Sequence, residues 1–199
     1  MQLEMSPLPA GLKWLVEPAT WEADSDGMLS ITAGPETDMF HDPAGEGRKA
    51  DAAAAVFTPD PLFTLGANVS VAFASTYDAG ALLVWADADH WGKLCYEYSP
   101  QGQPMVVSVV TNGRSDDCNS PVFVRPDIYL RVSRLGRSYA FHYSEDGSYW
   151  HLVRHFALQS AGDVQAGFVA QSPTGHGCTA TFTEITYAPE PVRQIRSGE

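Results

Sequence analysis

The segment from Asp78 to Asp117, DAGALLVWADADHWGKLCYEYSPQGQPMVVSVVTNGRSDD, decides the fold class of this chain. It contains three apolar runs typical of β-strands, separated by polar turns. Because successive side chains of a strand point to opposite faces, Lys93 and Glu97 of the middle run share one face. Leu94 and Tyr96 of the same run fill the other face. We therefore predict a sheet with an apolar core side and a polar side that displays Lys93 and Glu97.

The rest of the chain repeats this pattern. Turn signals rich in Gly, Asp, Asn and Pro recur at short intervals. The strand-like segments between them are MLSITA (28–33), NVSVAFAST (68–76), GALLVWAD (80–87), WGKLCYEY (91–98), PMVVSVV (104–110), IYLRVSR (128–134), SYAFHYS (138–144), YWHLVRHF (149–156), VQAGFVAQ (164–171) and CTATFTEITY (178–187). No segment keeps a helical spacing of apolar residues, and the Ala-rich run 51–57 is too short to be evidence for a helix. We predict an all-β sandwich of antiparallel sheets, with ten or more strands.

Strand order along the chain gives three further expectations. Residues 130–153 read as hairpins in series. The first and last strand candidates, 29–32 and 179–187, are expected to pair, since the termini of sandwiches often lie together. One domain is predicted over residues 14–187, flanked by an N-terminal arm, 1–13, and by a Pro- and charge-rich, loosely held C-terminal tail, 188–199.

The composition limits the partners of this chain. Its length of 199 residues fits a single all-β domain that buries a substantial core. Twelve Lys and Arg against 24 Asp and Glu give a net charge of −12. Such an acidic surface repels nucleic acid and anionic lipid headgroups, so we predict neither nucleic acid nor a membrane as a partner.

Targeting signals and cysteine usage indicate the compartment. The N-terminal segment lacks the basic stretch and apolar run of a secretory signal, and no apolar run reaches the roughly 18 residues of a membrane span. Cys95, Cys118 and Cys178 are odd in number and have no CxxC spacing, which favours reduced thiols over disulfides or a zinc ribbon. We expect a soluble, cytoplasmic protein without a cofactor.

A set of short motifs, taken in order, is similar to one known family. The set is Thr37-Asp38-Met39-Phe40, Asp78-Ala79-Gly80-Ala81-Leu82-Leu83-Val84, Trp91-Gly92-Lys93 with Glu97, Ser108-Val109-Val110-Thr111 with Ser115-Asp116, Arg131 with Arg134, Tyr143-Ser144-x-Asp146-Gly147-x-x-Trp150, and Ser172-Pro173. In order and spacing it resembles the family of unknown function numbered 1349, among the concanavalin A-like jelly rolls. The resemblance runs from about residue 14 to residue 187.

The resemblance implies a two-sheet jelly roll with a concave face, in a superfamily rich in lectins and glycan hydrolases. The family itself has no settled activity. One departure concerns Asp117, which follows Ser115 and Asp116 where the family usually has an aromatic residue. The sugar-stacking ring expected at that position is therefore absent.

Four polar residues are candidates for a binding groove. Lys93 and Glu97 are expected to line the concave face, where Glu97 accepts and Lys93 donates hydrogen bonds to sugar hydroxyls. The alternative is a solvated ion pair that contributes little to stability. Arg131 and His142 alternate with apolar residues in their own runs, so they join the same site if their strands share the sheet of Glu97.

The segment TDMFHDP supplies a candidate rim for this groove. Phe40 could stack on a sugar ring while Asp38 and His41 form hydrogen bonds beside it. A plain turn built on Asp42 and Pro43 is the alternative. Three potential ligands within so short a span rarely complete a coordination shell, so no metal is predicted.

Further candidate site residues come from the neighbouring turns. Trp91 follows the polar turn 87–90 and is predicted to present its ring to the ligand. Ser115 and Asp116 enter the candidate site through the family resemblance.

The sequence leaves open whether a reaction is catalysed. A glycosidase needs two carboxyl groups that flank the scissile bond. Glu97 is the only catalytic candidate, and no carboxylate lies two or four residues from it on its own strand. A partner would come from another strand, with Asp38 or Asp116 as candidates. The Glu-x-Asp-x-x-Glu strand of related jelly-roll hydrolases is absent from the sequence.

Three classes of function remain. The leading one is a carbohydrate-binding protein that holds a sugar or sugar acid through Lys93, Glu97, Arg131 and an aromatic platform. The alternatives are a glycan-active enzyme and a non-catalytic interaction protein that forms a homodimer or binds a protein partner.

Overall fold

The computed structural model describes residues 2–3, 8–160 and 162–199, and two large antiparallel sheets account for most of them. The eight strands of the first sheet, in spatial order, are β1 (Gln2–Leu3), β2 (Leu12–Val16), β7 (Ala53–Phe57), β16 (Gln165–Gln171), β9 (Ala79–Asp87), β10 (His90–Tyr98), β11 (Pro104–Asn112) and β12 (Arg114–Val122). The seven strands of the second are β15 (Trp150–Phe156), β14 (Tyr139–Ser144), β13 (Asp127–Arg134), β8 (Phe63–Val71), β17 (Thr179–Ala188), β4 (Leu29–Thr32) and β3 (Thr20–Ala23). A separate hairpin consists of β5 (Met39–His41) and β6 (Arg48–Ala50). The prediction of an all-β sandwich is confirmed.

The two sheets pack face to face around one apolar core. Leu94 and Tyr96 from β10 and Leu130 and Val132 from β13 are fully buried in this core. Lys93, on the alternate face of β10, points away from the second sheet, as the pleat requires. We call this side of the eight-stranded sheet its outer face.

The predicted strand pairings are present. Strand β17 pairs antiparallel with β4, with Thr179 opposite Thr32, and so joins the two ends of the sandwich. Strands β13, β14 and β15 form hairpins in series. The first of these turns at Gly136, whose φ of 86° is a conformation that glycine adopts without strain.

The Ala-rich run 51–57 contains a central strand, β7, in which all five side chains are buried. Ala55 lies in the core between the sheets, and Val56 lies in a second apolar cluster on the outer face. Strand β7 pairs with β16, where Gly167 lies opposite Val56. A Cβ on Gly167 would lie only 1.9 Å from the carbonyl oxygen of Ala55, so glycine is what permits this close approach.

The β5–β6 hairpin lies over the outer face near β12. The backbone N–H of His41 donates to Oγ of Ser115 at 2.9 Å, and the N–H of Asp51 donates to the carbonyl of Asp38 at 2.9 Å. Met39 and Trp91 are fully buried in the outer cluster. The hairpin therefore covers part of the outer face with apolar side chains and leaves the rest open.

The two flanking segments pack more closely than their sequences suggested. Strand β1 pairs with β2, so residues 2–3 of the expected arm belong to the sheet, whereas Met1 and residues 4–7 lie outside the described residues. In the expected tail, Val192 is buried and its N–H donates to Oγ of Ser133 at 3.0 Å. The tail is thus held on the outer side of the seven-stranded sheet by hydrogen bonds between its backbone and buried polar side chains of that sheet. Among the described residues, no helix is long and apolar enough to cross a membrane.

Candidate functional site

A cavity of about 260 Å³ opens on the outer face of the eight-stranded sheet, beside the β5–β6 hairpin. Its floor is formed by β10, β11, the middle of β12 and the end of β16, and its rim by the β5–β6 hairpin with the loop before it and by the loops that contain residues 77 and 173. The lining residues are Asp38, Phe40, Tyr77, Lys93, Glu97, Val107, Val109, Asp117, Gln171 and Pro173. The cavity therefore combines charged, amide and aromatic side chains on a rigid sheet.

Lys93 lies at the centre of the cavity floor and is only 2% exposed. Its Nζ donates to Oε1 of Gln171 at 2.5 Å and lies 3.6 Å from Oδ1 of Asp38. A buried ammonium group is stable only when such partners replace the water that it loses. The solvated ion pair with Glu97 that the sequence left as an alternative is therefore not the arrangement of Lys93.

Asp38 reaches Lys93 because the loop before β5 is bound to the end of β16. The N–H of Ser172 donates to the carbonyl of Thr37 at 3.1 Å. The Asp38 carboxylate also accepts the N–H of Met39 at 2.7 Å, which fixes its orientation. The acid that neutralises Lys93 thus comes from a loop that two separate contacts hold in place.

Asp78 organises the opposite rim. It is fully buried and accepts hydrogen bonds from the N–H groups of Ala74 and Ser75 and from Oγ of Ser172. The neighbouring Tyr77 has a φ of 69°, which is rare for a residue with a side chain, and it is 40% exposed at the cavity rim. Such strain persists where the surroundings hold the backbone, and it is frequent at functional sites.

Glu97 lies beside Lys93 on the same face of β10 and has no hydrogen-bond partner within the part of the chain that the structure describes. Removal from water raises the pKa of its carboxyl from 4.5 to about 7. The ammonium of Lys93 opposes this rise in pKa, whereas the negative charges of Asp38 and Asp117 add to it. Near neutral pH, Glu97 therefore exists in both protonation states, and it can donate or accept a hydrogen bond.

Cys95 lies between Lys93 and Glu97 on the same face but is fully buried under the outer apolar cluster. Burial raises the pKa of its thiol to about 12. A thiol that stays protonated is a poor nucleophile, so Cys95 contributes packing to the floor of the site.

Four of the ten predicted site residues line the cavity: Lys93, Glu97, Asp38 and Phe40. Trp91 does not, and the prediction that it faces the ligand is wrong. The hairpin β5–β6 covers it completely, and the ring of His41 meets it edge-on at 5.7 Å. Its indole Nε1 is buried without a partner among the described residues.

His41 and Ser115 are also structural. His41 is buried, its Nδ1 donates to the carbonyl of Gly113 at 3.3 Å, and burial with the nearby Arg48 charge lowers its pKa. Ser115 accepts the N–H of His41 and lies 2.8 Å from Oγ1 of Thr111. Both residues fasten the hairpin to the sheet and do not reach the cavity.

Asp116 points to the other side of β12 from the cavity. Its Oδ1 lies 2.6 Å from Nη2 of Arg154 on β15, in an exposed salt bridge between the sheets. The next residue, Asp117, lines the cavity instead, since side chains alternate along a strand. The sequence therefore predicted an acidic residue of this strand at the site, but the residue that lines the cavity is Asp117 and not Asp116.

Arg131 and His142 lie in the seven-stranded sheet, on strands β13 and β14, opposite each other. Their side chains point away from the core, toward residues 195–198. The expected convergence with Lys93 and Glu97 is wrong, because these strands belong to the other layer of the sandwich.

Tyr77, Asp117 and Gln171 also line the cavity and were not predicted from the sequence. Gln171 ends a strand that was recognised, and alternation along it places Gln171 on the outer face. Asp117 lies in line with Lys93 and Val109 across β10, β11 and β12, so it would follow from the register once β12 is known to be a strand. No sequence signal marks the positive φ of Tyr77.

Asp38, His41 and Asp42 do not gather around one point. Within the described residues, no group of three or more His, Cys, Asp or Glu side chains is arranged to hold a metal ion.

A two-sheet antiparallel sandwich of this topology is a concanavalin A-like jelly roll, and the polar cavity on the outer face of one sheet is its candidate site. The chain belongs to the family described as protein of unknown function (DUF1349), whose model matches residues 14–190. The match includes every residue that lines the cavity.

Solved structures share this fold. A functionally unknown protein from Saccharomyces cerevisiae has 25% sequence identity and a TM-score of 0.81, and the similarity covers 89% of this chain and 95% of that protein. The carbohydrate-binding module CBM66 from Bacillus subtilis has 16% identity and a TM-score of 0.54, covering 87% of this chain and 94% of the module. The GH43 protein BlXynB from Bacillus licheniformis has 15% identity and a TM-score of 0.66, covering 89% of this chain. This chain spans 36% of the BlXynB chain. No curated protein sequence matches the chain.

Proposed function

We propose that the cavity on the outer face binds a carbohydrate, as a single sugar residue or sugar derivative. The observation that carries this proposal is the fixed set of Lys93, Gln171 and Asp38 on the cavity floor beside the Glu97 carboxyl, which has no partner among the described residues. Sugar recognition needs such fixed donors and acceptors, since each hydroxyl both donates and accepts.

The aromatic residues of the rim support the same ligand class. Phe40 lies in the hairpin wall and Tyr77 in the opposite loop, so both border the space above Lys93. Aromatic faces pack well against the C–H face of a pyranose, while the polar floor holds its hydroxyls. One apolar and one polar surface across a small cavity match the two kinds of surface that a sugar ring presents.

The size of the cavity limits the ligand. Its volume of about 260 Å³ lies just below the roughly 300 Å³ at which pockets for drug-sized molecules begin. One sugar ring, such as the end of a glycan chain, suits this volume better than a long oligosaccharide lying along the sheet.

The shared fold gives independent support at the level of class. CBM66 is named as a carbohydrate-binding module, and a further structure of this fold is named as a GH43 glycoside hydrolase. A jelly roll presenting a polar outer cavity is compatible with a binding role in this chain as well, although fold alone assigns no function.

The test is a titration of the protein with a panel of monosaccharides, followed by NMR or calorimetry. Wild-type protein should bind one class of sugar with a dissociation constant in the micromolar to millimolar range. Glu97→Ala should weaken that binding by about tenfold or more while the protein stays folded. Glu17→Gln, at an exposed glutamate outside the cavity, is the control and should bind normally. Binding that survives both Glu97→Ala and Lys93→Met would contradict the proposal.

A second candidate function is a glycan-active enzyme, favoured by one observation. The pKa of Glu97 is raised to about 7, as a general acid at neutral pH requires, and the carboxyl of Asp117 lines the same cavity. Glu97→Gln separates the two functions. An enzyme would keep sugar binding and lose the release of reducing sugar from glycosides, whereas a binding protein would show no release in either form.

A further inference from the structure

A second polar cluster lies on the opposite side of the molecule, on the outer side of the seven-stranded sheet. It consists of Arg131 on β13, His142 on β14 and Trp150 on β15, and we call it the Arg131 cluster. The guanidinium carbon of Arg131 lies 3.8 Å from the centroid of the Trp150 ring. Arg131 and His142 are directly opposite each other in the sheet. The aromatic face and the register therefore hold the guanidinium in one position.

A tight turn near the end of the chain covers this cluster. Within it, the N–H of Gly198 donates to the carbonyl of Gln194 at 2.7 Å. The carbonyl of Gly198 accepts from Nη2 of Arg131 at 2.5 Å, and the carbonyl of Ile195 accepts from Nε2 of His142 at 2.8 Å. Two peptide carbonyls thus accept hydrogen bonds from the cluster.

The turn satisfies the cluster only in part. Nε of Arg131 and Nδ1 of His142 are buried and have no hydrogen-bond partner among the described residues. His142 has no exposed surface. Within the described part of the chain, no carboxylate lies within salt-bridge distance of Arg131. Arg131 is partly buried, and a guanidinium that loses water without gaining a counter-charge is energetically costly.

The electrostatics of Arg131 agree with this geometry. Burial lowers the pKa of its guanidinium to about 10, and no acidic side chain opposes that shift. The remaining acceptors are neutral carbonyls and the face of Trp150. The site therefore has an unmatched positive charge in a chain whose net charge is −12.

We propose that the Arg131 cluster is a second ligand site, for a small molecule that carries a carboxylate, and that residues 195–198 occupy it as a displaceable cover. The Nε and Nη2 donors of a guanidinium form the edge that binds the two oxygens of a carboxylate in parallel. The single carbonyl of Gly198 engages only Nη2. A carboxylate would engage both donors and would neutralise the charge.

Two further observations agree with a displaceable cover. Arg131, His142 and Trp150 lie inside the stretch that matches the family model, whereas residues 194–199 lie beyond its end at residue 190. A surface cavity of about 460 Å³ is lined by Trp150, Arg196 and Ser197, so one side of the turn lies beside open space. The cover can move toward solvent without disturbing the sheet.

Gly198 offers a way to open the site without changing the site residues. Its φ is +73°, and a Cβ there would lie 2.2 Å from Nη2 of Arg131 and 2.8 Å from Cβ of Trp150. Gly198→Ala should therefore displace the turn. Gly11→Ala is the matched control, because Gly11 has a φ of +76° but no atom within 4 Å of the added Cβ.

The experiment titrates each protein with glucuronate and with glucose, its uncharged counterpart, and follows the indole signal of Trp150 by NMR. Gly198→Ala should bind glucuronate about tenfold or more tightly than wild type, because the ligand no longer has to displace the turn from the site. Gly11→Ala should behave as wild type, and glucose should not move the Trp150 signal. Adding Arg131→Met to Gly198→Ala should abolish the response, whereas adding Lys93→Met should not, which separates this site from the cavity on the other sheet.

Equal glucuronate binding by Gly198→Ala and wild type, or binding that survives Arg131→Met, would overturn the proposal. If Gly198→Ala does not fold, hydrogen exchange on wild-type protein decides the question. Saturating glucuronate should then speed exchange of the Gly198 amide, because the ligand releases the turn. Unchanged exchange at this amide would equally overturn the proposal.

Discussion

Lys93 and Gln171 meet across strand β9, which lies between their own strands, with Nζ of the lysine 2.5 Å from Oε1 of the amide. Nε2 of Gln171 in turn donates to the carbonyl of Tyr77 at 3.3 Å. The amide therefore links the buried ammonium on the floor to the strained rim. Because the protein's own side chains and backbone make these contacts, the floor is formed in advance and little ordering is needed for binding.

Lys93→Met tests this arrangement. The variant keeps the length of the side chain but leaves Oε1 of Gln171 buried without its donor, which should destabilise the fold by about 1–3 kcal/mol. Since Lys93 lowers the pKa of Glu97, that pKa should rise further above about 7. Chemical denaturation and NMR titration of the Glu97 carboxyl measure the two effects. Lys13→Met, at an exposed lysine on β2, should show neither.

The neighbours Asp116 and Asp117 give a matched pair of variants. Asp117→Asn should lower the pKa of Glu97, because the charge of Asp117 helps to raise it, and should weaken sugar binding in the cavity. Asp116→Asn should change neither property and should cost less than about 1 kcal/mol, as expected for an exposed salt bridge with Arg154. If Asp116→Asn impaired sugar binding as much as Asp117→Asn, the assignment of the cavity would be wrong.

The local part of the site could be predicted from the sequence. Alternation in the run 91–98 predicted that Lys93 and Glu97 lie on one face and Leu94 and Tyr96 on the other. In the structure, the pleat of β10 places the first pair on the outer face and the second pair in the core. Periodicity is a local property that neighbouring residues determine, and it survives packing. The hairpins in series followed in the same way, whereas the pairing of β4 with β17 was expected from the general tendency of sandwich termini to lie together.

The long-range part could not be predicted. Arg131 and Glu97 both alternate with apolar residues, but which sheet a strand joins depends on contacts between residues far apart in sequence. The polar strand β12 was not recognised because an edge strand needs no apolar alternation, and Asp117 was missed with it. Trp91 follows a polar turn, yet the hairpin from residues 39–50 buries it.

Gly167→Ala should be among the most damaging single substitutions in the core. The added Cβ would lie 1.9 Å from the carbonyl oxygen of Ala55, and a backbone atom in the middle of a sheet cannot move aside. We expect a loss of stability of about 3 kcal/mol or more, measured by thermal unfolding. Gly47→Ala, where no atom lies within 4 Å of the added Cβ, should be nearly neutral. A stable Gly167→Ala protein would show that β7 and β16 are farther apart than described.

Glu97 should make the protein less stable as pH rises. Its pKa is about 7 in the folded state, against 4.5 ordinarily, so between these values the folded state holds a proton that the unfolded state has released. The stabilisation by Glu97 is fully present below pH 4.5 and is lost as pH rises through 7. The loss is at most about 3 kcal/mol, because the side chain is only partly buried and keeps some contact with water. The measurement compares denaturant unfolding of wild type and Glu97→Gln across this range. The advantage of the variant should grow with pH, and a constant difference would exclude the raised pKa.

His142 should act in the opposite direction on the other sheet. Burial, assisted by the charge of Arg131, lowers its pKa from 6.5 to about 4, although its hydrogen bond to the carbonyl of Ile195 opposes this. Between these values the unfolded state binds a proton that the folded state does not, so stability is lost as pH falls from 6.5 toward 4, by roughly 3 kcal/mol at most. His142→Gln keeps a donor for Ile195 and removes the titration, so its unfolding should depend less on pH in this range than that of wild type. His176→Gln, at an exposed histidine, is the control and should retain the wild-type dependence of stability on pH. If His142→Gln also retained the wild-type dependence, the imidazole of His142 would be solvated and this prediction would be wrong.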